Sequence, residues 1–242
     1  MAIQKVNYQT DTEGRPARTA HAKQTFLNLP DEKRGRILAA ATDEFSHKGF
    51  ERASINAIVA SVGIAKGSIY QYFPDKKGLF LYTFEAAVSL IRATLKKVKA
   101  DSEDLDFFER LRLSLLTGFQ FTRRHPRIYA AYLRILFGSD TPMREDLVRV
   151  IRLFSANYLR TLAEEGLRRG ELRPDMKPAH IAFFLDAVMD RMLQAYAIAG
   201  LDFGLGLHGA QAQRTEEWVN LFIDFIRRGL ASPETRNQTA LT

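Results

Sequence analysis

The sequence contains no cysteine among its 242 residues, which excludes disulfide bonds and thiolate metal sites. It also has no uninterrupted apolar run near the roughly 20 residues that a membrane-spanning helix needs. Residues 1–16, MAIQKVNYQTDTEGRP, lack the apolar core of a secretory signal. These absences predict a cytoplasmic protein with no membrane partner.

Groups that carry out catalysis or bind metals are equally sparse. No pair of histidines has the i, i+4 spacing of a helical metal site, and no Ser/His/Asp set or carboxylate pair stands out. The histidines are His21, His47, His125, His180 and His208. We therefore predict no metal, no cofactor and no enzymatic activity.

The stretch GLGLHG at residues 204–209 has the spacing of a dinucleotide-binding loop. Such a loop requires a preceding strand and a helix that opens on its last glycine. Here a helical pattern precedes it and no βαβ unit is evident. The stretch is therefore predicted to be a loop between helices.

Positive charge is concentrated in the first part of the chain. The net charge is +7, and residues 1–100 hold 16 Lys and Arg against 9 Asp and Glu, while residues 101–242 hold 19 of each. This division is typical of a polyanion-binding module joined to a neutral one, although charge alone leaves a chance fluctuation equally open.

Apolar residues recur at helical spacing along most of the chain, and no long stretch alternates with period two. We predict an all-α fold of about nine helices. Proline and acidic residues mark helix starts, whereas Gly63 and paired arginines mark ends. The predicted helices run over about 30–49, 54–62, 66–73, 75–100, 105–124, 126–137, 142–169, 178–199 and 211–230.

Residues 1–28 are polar and aperiodic, and we predict a disordered basic tail there. Its lysines and arginines suit an arm in the DNA minor groove, but a leader without function explains them as well. Residues 29–76 would form a three-helix DNA-binding domain, and residues 77–242 a second helical domain.

The segment 54–73 predicts a helix-turn-helix. A helix capped by Ser54 ends at Gly63, where a tight turn needs a left-handed residue, and a short helix follows from Lys66. Ile69 would face inward, while the polar side chains beside it would face the DNA major groove. A buried helical hairpin explains the apolar residues but not the polar ones.

In these residues the chain resembles the TetR family of bacterial transcriptional regulators. The signature G-[VI]-x-x-G-[ST]-[LI]-Y-x-[YHF]-F, followed closely by Lys, is filled from Gly63 to Phe73 and by Lys76. The resemblance spans about residues 31–80. It implies a homodimer with an N-terminal domain that binds a double-stranded DNA operator and a larger C-terminal domain for ligand binding and dimerisation.

The resemblance also implies roles for particular residues. Ser54 and Lys76 would bind phosphates. The groove-facing surface would consist of Lys66, Gly67, Ser68, Tyr70, Gln71 and Tyr72.

Two helices of the second domain, over 178–199 and 211–230, would form a four-helix interface in the dimer, as the resemblance implies. Their apolar faces could equally close the core of one chain. The predicted interface residues are Ile181, Leu185, Val188, Met192, Trp218, Leu221, Phe222 and Phe225.

Helices 105–124, 126–137 and 142–169 are rich in aromatic residues, which are core packing in most proteins. Gly118 lies among them and makes room for a neighbouring helix or for a ligand. The resemblance favours a mostly apolar effector pocket with few polar anchors. Its predicted lining includes Phe84, Phe119, Tyr129, Leu133, Tyr158 and Met189.

Asp186 and Asp190, at i, i+4 in an apolar helix, suit a cationic effector, a solvated helix face, or pairing with Arg191 and its neighbours.

Three functions remain open on this evidence. The first is a ligand-responsive regulator, most simply a repressor released from its operator by a small apolar effector. The second is a DNA-binding helical protein without an effector. The third is an all-helical enzyme, against which the missing catalytic residues argue.

Overall fold

The computed structural model of the chain describes residues 21–139 and 141–231. Within these ranges the chain forms ten α-helices and one 3₁₀ turn, Ala199–Leu201, and its β-pairing is limited to one bridge between Leu172 and Ala231. The predicted all-α fold is confirmed. The helices are α1 (Gln24–Leu27), α2 (Asp31–Arg52), α3 (Ile55–Val62), α4 (Lys66–Tyr72), α5 (Lys76–Asp101), α6 (Phe107–Arg124), α7 (Pro126–Phe137), α8 (Arg144–Arg168), α9 (Pro178–Ala197) and α10 (Ala212–Leu230).

Local signals account for most helix ends. The Ser54 hydroxyl accepts a bond from the Ala57 amide at the start of α3, and the Asp75 carboxylate accepts one of 2.7 Å from the Gly78 amide at the start of α5. Gly49, where the first helix was predicted to stop, has a φ of 74° and kinks α2, which then continues to Arg52.

The helix α1 was not predicted, because residues 21–28 were assigned to the tail. Phe26 explains the difference. Its ring is fully buried, with centroids 4.6 Å from Phe73 and 5.2 Å from Tyr82. One large aromatic residue in a polar stretch gives no periodic signal, yet its burial orders the segment around it. The remainder of the predicted tail, residues 1–20, lies outside the described residues.

The chain divides into two compact units. Among the described residues, the first takes 21–94 together with 125–139 and 141–148, and the second takes 95–124 together with 149–231. This division differs from the predicted domain boundary after residue 76, since α7 packs against α2. Arg134 Nε donates a bond of 2.6 Å to the Ser46 carbonyl, and Arg127 Nε lies 2.6 Å from Asp43 Oδ1.

Each unit has its own apolar core. In the first, Ile37 of α2, Ile58 of α3 and Leu79 of α5 are among the fully buried side chains. In the second, α6 supplies a continuous buried stripe against α9 and α10. Its members are Phe107, Phe108, Leu111, Leu115 and Phe119.

The helix α5 is, by length and composition alone, apolar enough to cross a membrane. Half of its apolar stretch is buried inside the protein, including Leu79, Phe80 and Phe84. Such burial is typical of the core helix of a folded domain.

Candidate functional site

The helix-turn-helix forms as predicted. Gly63 ends α3 in the left-handed conformation, with a φ of 75°, and its amide bonds back to the Val59 carbonyl at 3.0 Å. A side chain at this position would be strained, which explains the glycine. Ile58, Val62 and Ile69 are buried, so the apolar side of the motif faces the interior of the protein.

The opposite side of α4 is polar and accessible. Lys66, Gly67 and Gln71 are exposed, Tyr70 is 42% exposed, and Ser68 is half-buried. Apart from its neighbours in α4, a methyl group added at Gly67 would meet no atom of the described residues within 4 Å. A helical glycine with open space around it is not required by packing, and it permits close approach of an external molecule.

Tyr72 corrects the sequence-based expectation. It was predicted to face outward, but it is only 7% exposed and its ring centroid lies 5.9 Å from that of Phe26. The reason is helical geometry: positions 69, 72 and 73 follow the i, i+3, i+4 spacing that places residues on one face. Because Ile69 and Phe73 point into the core, Tyr72 points there as well.

The two side chains that are predicted to bind phosphate, Ser54 and Lys76, already make hydrogen bonds within the protein. The Ser54 hydroxyl accepts from the Ala57 amide at 3.4 Å, which leaves its own proton to donate. Lys76 Nζ donates to the carbonyls of Glu51 and Ala53 at 3.0 and 3.1 Å and lies 4.7 Å from the centre of the Phe50 ring. An ammonium group has three protons, so one remains for a phosphate.

The residues that contact the end of α4 were not predicted from the sequence. Lys23 and Thr25 donate bonds to main-chain carbonyls of Tyr70 and Gln71. Both lie in the stretch predicted to be disordered. The apolar pair Phe26 and Leu27 was the one available hint that this stretch packs against something.

The predicted effector residues divide between the two units. Phe84, Tyr129 and Leu133 belong to the first unit, and the first two are buried. In the second unit Phe119 is buried, and Tyr158 and Met189 pack at the edge of the same core.

Tyr158 provides a polar group in this apolar setting. Its hydroxyl lies 2.6 Å from the Ser114 hydroxyl, and burial raises the pKa of the phenol, so the group is neutral at physiological pH.

The space beside Gly118 is filled by the protein. A methyl group added there would lie 3.3 Å from Cδ1 of Leu193 on α9. Gly118 therefore makes room for a neighbouring helix, and the suggestion that it makes room for a ligand is wrong. A small cleft of about 100 Å³ lies nearby, beside Phe119, Tyr196 and Arg123.

Asp186 and Asp190 pair with arginine. Arg152 Nη1 lies 3.3 Å from Asp186, and its Nη2 contacts Asp190. Ser155 also donates to Asp186, and Gln194 donates to Asp190 at 2.7 Å. The arginine that contacts these acids is thus Arg152 of α8, whereas the sequence pointed to Arg191 and its neighbours.

The predicted dimer residues fall into three groups. Ile181, Leu185 and Phe222 are buried in the core of their own chain, so their side chains do not form an outer surface, contrary to expectation. Met192 and Trp218 are half-buried against that core.

The remaining predicted interface residues, Val188, Leu221 and Phe225, are exposed. Phe183 and Phe184 join them, at 70% and 57% exposed, although they were not predicted. The helical phase of α9 decides which apolar residues face outward. We call the five exposed residues Phe183, Phe184, Val188, Leu221 and Phe225 the apolar face.

The glycine-rich stretch 204–209 is a loop, as predicted. The Asp202 carboxylate accepts bonds from the amides of Gly206 and Leu207 at 3.1 and 2.8 Å, and Leu207 is buried. A helix and a 3₁₀ turn precede the loop where a dinucleotide site requires a strand.

A short helix with an accessible polar face, held by a glycine turn against a second helix, defines a DNA-binding helix-turn-helix protein. Residues 37–83 match the family described as bacterial regulatory proteins, tetR family. The chain is 32% identical to a TetR family transcriptional regulator from Chloroflexus aurantiacus J-10-fl. It matches that crystal structure over 88% of its own length and 100% of the other chain, with a TM-score of 0.62.

A repressor and a second solved structure are also similar to the chain. The probable acrEF/envCD operon repressor of Escherichia coli K12 is 24% identical over 175 residues, which are 70% of this chain and 79% of the repressor. A proposed transcriptional regulator from Saccharomonospora viridis, solved in complex with choline, is 20% identical. It matches over 84% of this chain and 100% of its own, with a TM-score of 0.63. The chain belongs to the TetR family and is a DNA-binding transcriptional regulator, not an enzyme.

Proposed function

We propose that this protein is a repressor that binds its operator as a homodimer and leaves it when a small, mostly apolar effector binds. The observation that carries the DNA-binding part is the outer face of α4. There Lys66, Gly67, Tyr70 and Gln71 are accessible while the opposite face is buried.

Each of these residues has a role in DNA recognition. Lys66 would neutralise a phosphate, and Gly67 would allow the backbone to approach the duplex closely. Tyr70 and Gln71 would bond base edges or phosphates in the major groove, with Ser68 beside them. Ser54 and the remaining proton of Lys76 would bond the flanking phosphates, which positions the helix without reading sequence.

A homodimer would form through the apolar face. Five large apolar side chains exposed on two helices would be costly in water, and they mark an interaction surface. One recognition helix reads only a few base pairs, so two copies related by two-fold symmetry provide a longer site. Met192 and Trp218 would lie at the edge of this interface.

The effector would bind in the second unit, near Phe119, Tyr158 and Met189. These residues supply aromatic and thioether surface, and the Tyr158–Ser114 hydroxyl pair supplies a polar anchor. The cleft beside Phe119 is smaller than the roughly 300 Å³ of a typical ligand pocket, so an effector would widen it. Phe84, Tyr129 and Leu133, the other predicted effector residues, belong to the first unit, and their role stays a prediction. Action on DNA in the cell would place the protein in the cytoplasm.

The proposal is tested by selecting duplexes from a random pool with the purified protein and then titrating small molecules against the selected duplex. The panel contains medium-chain carboxylic acids, sterol-like apolar molecules and choline. We expect a two-fold symmetric site and release by an apolar member of the panel. Release by choline alone would contradict the apolar effector, and a selected site without two-fold symmetry would contradict binding as a homodimer. Absence of any selected sequence would contradict sequence-specific repression.

A further inference from the structure

The end of α4 is held by the segment that precedes α2. Lys23 Nζ donates to the Tyr70 carbonyl at 2.7 Å, the Thr25 hydroxyl donates to the Gln71 carbonyl, and the Lys23 amide donates to the Tyr72 carbonyl at 2.8 Å. The last four carbonyls of any helix lack partners within that helix. Three of the four in α4 are therefore satisfied by α1 and the residue before it.

The helix α4 depends on such outside contacts. It has only seven residues, and no side chain caps its N-terminus. A helix of this length is unstable by itself, because nucleation is costly and few internal bonds form. Buried Ile69 and Tyr72 fix its position on the core. The contacts from Lys23 and Thr25 fix its C-terminal turn.

The holding segment is itself anchored in the first unit. Phe26 is fully buried between the α4–α5 connection at Phe73 and the α5 residue Tyr82. Arg34 of α2 donates to the carbonyls of Leu27 and Leu29. Lys23 and Thr25 thus extend from a rigid base, which is a condition for positioning another element.

The held carbonyls belong to residues that face outward. Tyr70 and Gln71 have exposed side chains, so a small rotation of the last turn of α4 would move both reading groups at once. Hydrogen bonds to base edges require donor and acceptor within a few tenths of an ångström of their best distance.

We propose that Lys23 and Thr25 are positioning residues for operator recognition, and that they set the discrimination between operator and other DNA. This inference rests on the proposed reading role of α4. It gives residues 21–28 a part in specificity, where the sequence predicted a disordered tail that is either a minor-groove arm or a leader without function. A positioning contact affects sequence-specific bonds, whereas a phosphate contact affects all duplexes equally.

The test compares Thr25→Val with Thr42→Val. Valine has the shape of threonine without the hydroxyl, and Thr42 is a matched control because its hydroxyl bonds its own helix, to the Leu38 carbonyl at 2.8 Å. For Thr25→Val we expect the dissociation constant for the selected operator to rise about fivefold to tenfold. The constant for a scrambled duplex, and the salt dependence of binding, should stay within experimental error, and Thr25→Ser should restore operator affinity.

Lys23→Met distinguishes a positioning role of Lys23 from a phosphate contact. Positioning predicts a lower operator-to-scrambled ratio with an unchanged salt slope. A phosphate contact predicts an equal loss for both duplexes and a salt slope smaller by about one. Amide hydrogen exchange in α4 should accelerate in the Lys23 and Thr25 variants but not in Thr42→Val.

An unchanged ratio in Thr25→Val would overturn the proposal, as would a loss equal to that in Thr42→Val. Tyr70→Ala is measured alongside. If Tyr70→Ala keeps full operator affinity, the proposed reading role of α4 fails. If it loses affinity while Thr25→Val does not, only the positioning role fails.

Discussion

The outer face of α4 and the apolar face of α9 and α10 both expose aromatic rings, but they expose different chemistry. On α4 the ring is Tyr70, which is 42% exposed, carries a hydroxyl and lies near Lys66 and Gln71. On α10 it is Phe225, which is 74% exposed and has Leu221 one turn away. A phenol can hydrogen-bond to phosphates or base edges, whereas a hydrocarbon side chain gains free energy only when it is removed from water. The polar groups beside an exposed ring, more than the ring itself, therefore indicate the class of partner that the surface binds.

The interiors of the two units differ as well. In the first, Glu85 is buried, has one oxygen without a hydrogen-bond partner, and faces His21 Nε2 at 3.5 Å. Burial raises the pKa of Glu85 to about 7, and burial also lowers the pKa of His21. In the second, Glu165 is bonded by the buried Arg110, which lowers its pKa. The first unit thus buries a carboxyl group at a cost in stability, whereas the second unit pairs its carboxylate with an arginine.

The strongest test of the surface comparison is a charge on the apolar face. Phe225→Glu should weaken the dimer by about 3 kcal/mol or more, which is over 100-fold in the dissociation constant, because the carboxylate would be buried against apolar side chains. Sedimentation equilibrium at micromolar concentration should then report the mass of one chain.

Phe137→Glu is the matched control. Phe137 is 62% exposed but lies at the end of α7 in the first unit and not on α9 or α10, so its variant should keep the mass of the wild type. Wild-type protein that already sediments as a single chain would refute the homodimer, and loss of the dimer in both variants would show that charge at any exposed ring suffices.

The interior comparison predicts opposite pH effects for two Glu→Gln variants. For Glu85 the folded-state pKa of about 7 lies above the ordinary 4.5, so stability falls as the pH rises from about 4.5 through 7. At about 1.4 kcal/mol per unit, the loss reaches about 3 kcal/mol above pH 7. Glu85→Gln should recover that energy in urea unfolding at pH 8 and far less at pH 5.

Glu165→Gln should act in the other direction. Its lowered pKa means that the charged form stabilises the fold above the ordinary pKa, and that this contribution is lost as the pH falls through the folded-state pKa. The variant should be less stable than the wild type at neutral pH, with the difference shrinking in acid. A Glu85 variant that follows the same pH trend as Glu165→Gln would contradict the contrast.

The features predicted correctly from sequence are those with local causes. Gly63 needed a left-handed turn, Ser54 and Asp75 capped the helices after them, and the recognition motif lies within a dozen residues. The misses involve partners distant in sequence. Tyr72 lies on the buried side of α4 with Ile69 and Phe73, and its aromatic partner there is Phe26, 46 positions earlier. Likewise, the phase of α9 against α6 decides which of its apolar residues are exposed.

A medium effect is expected from a substitution on the outer face of α4. Tyr70→Ala should raise the dissociation constant for the selected operator by roughly tenfold to 100-fold, because a base or phosphate contact of this kind contributes about 1–3 kcal/mol. Since Tyr70 is not part of the core, the unfolding midpoint should move little. Equal losses for operator and scrambled duplex in fluorescence anisotropy would assign Tyr70 to the phosphate backbone and not to the bases.

The smallest effect is expected from Lys76, whose ammonium group would bond both to main-chain carbonyls and to a phosphate. Two of its protons hold the carbonyls of Glu51 and Ala53, so at most one is available to a phosphate. Lys76→Met should weaken operator and scrambled duplexes alike by a few-fold and reduce the salt slope by about one. Lys48→Met, at an exposed position on α2, is the control for a lost surface charge. If Lys76→Met instead lowers the unfolding midpoint while the salt slope stays unchanged, the lysine serves the fold alone and the phosphate role is wrong.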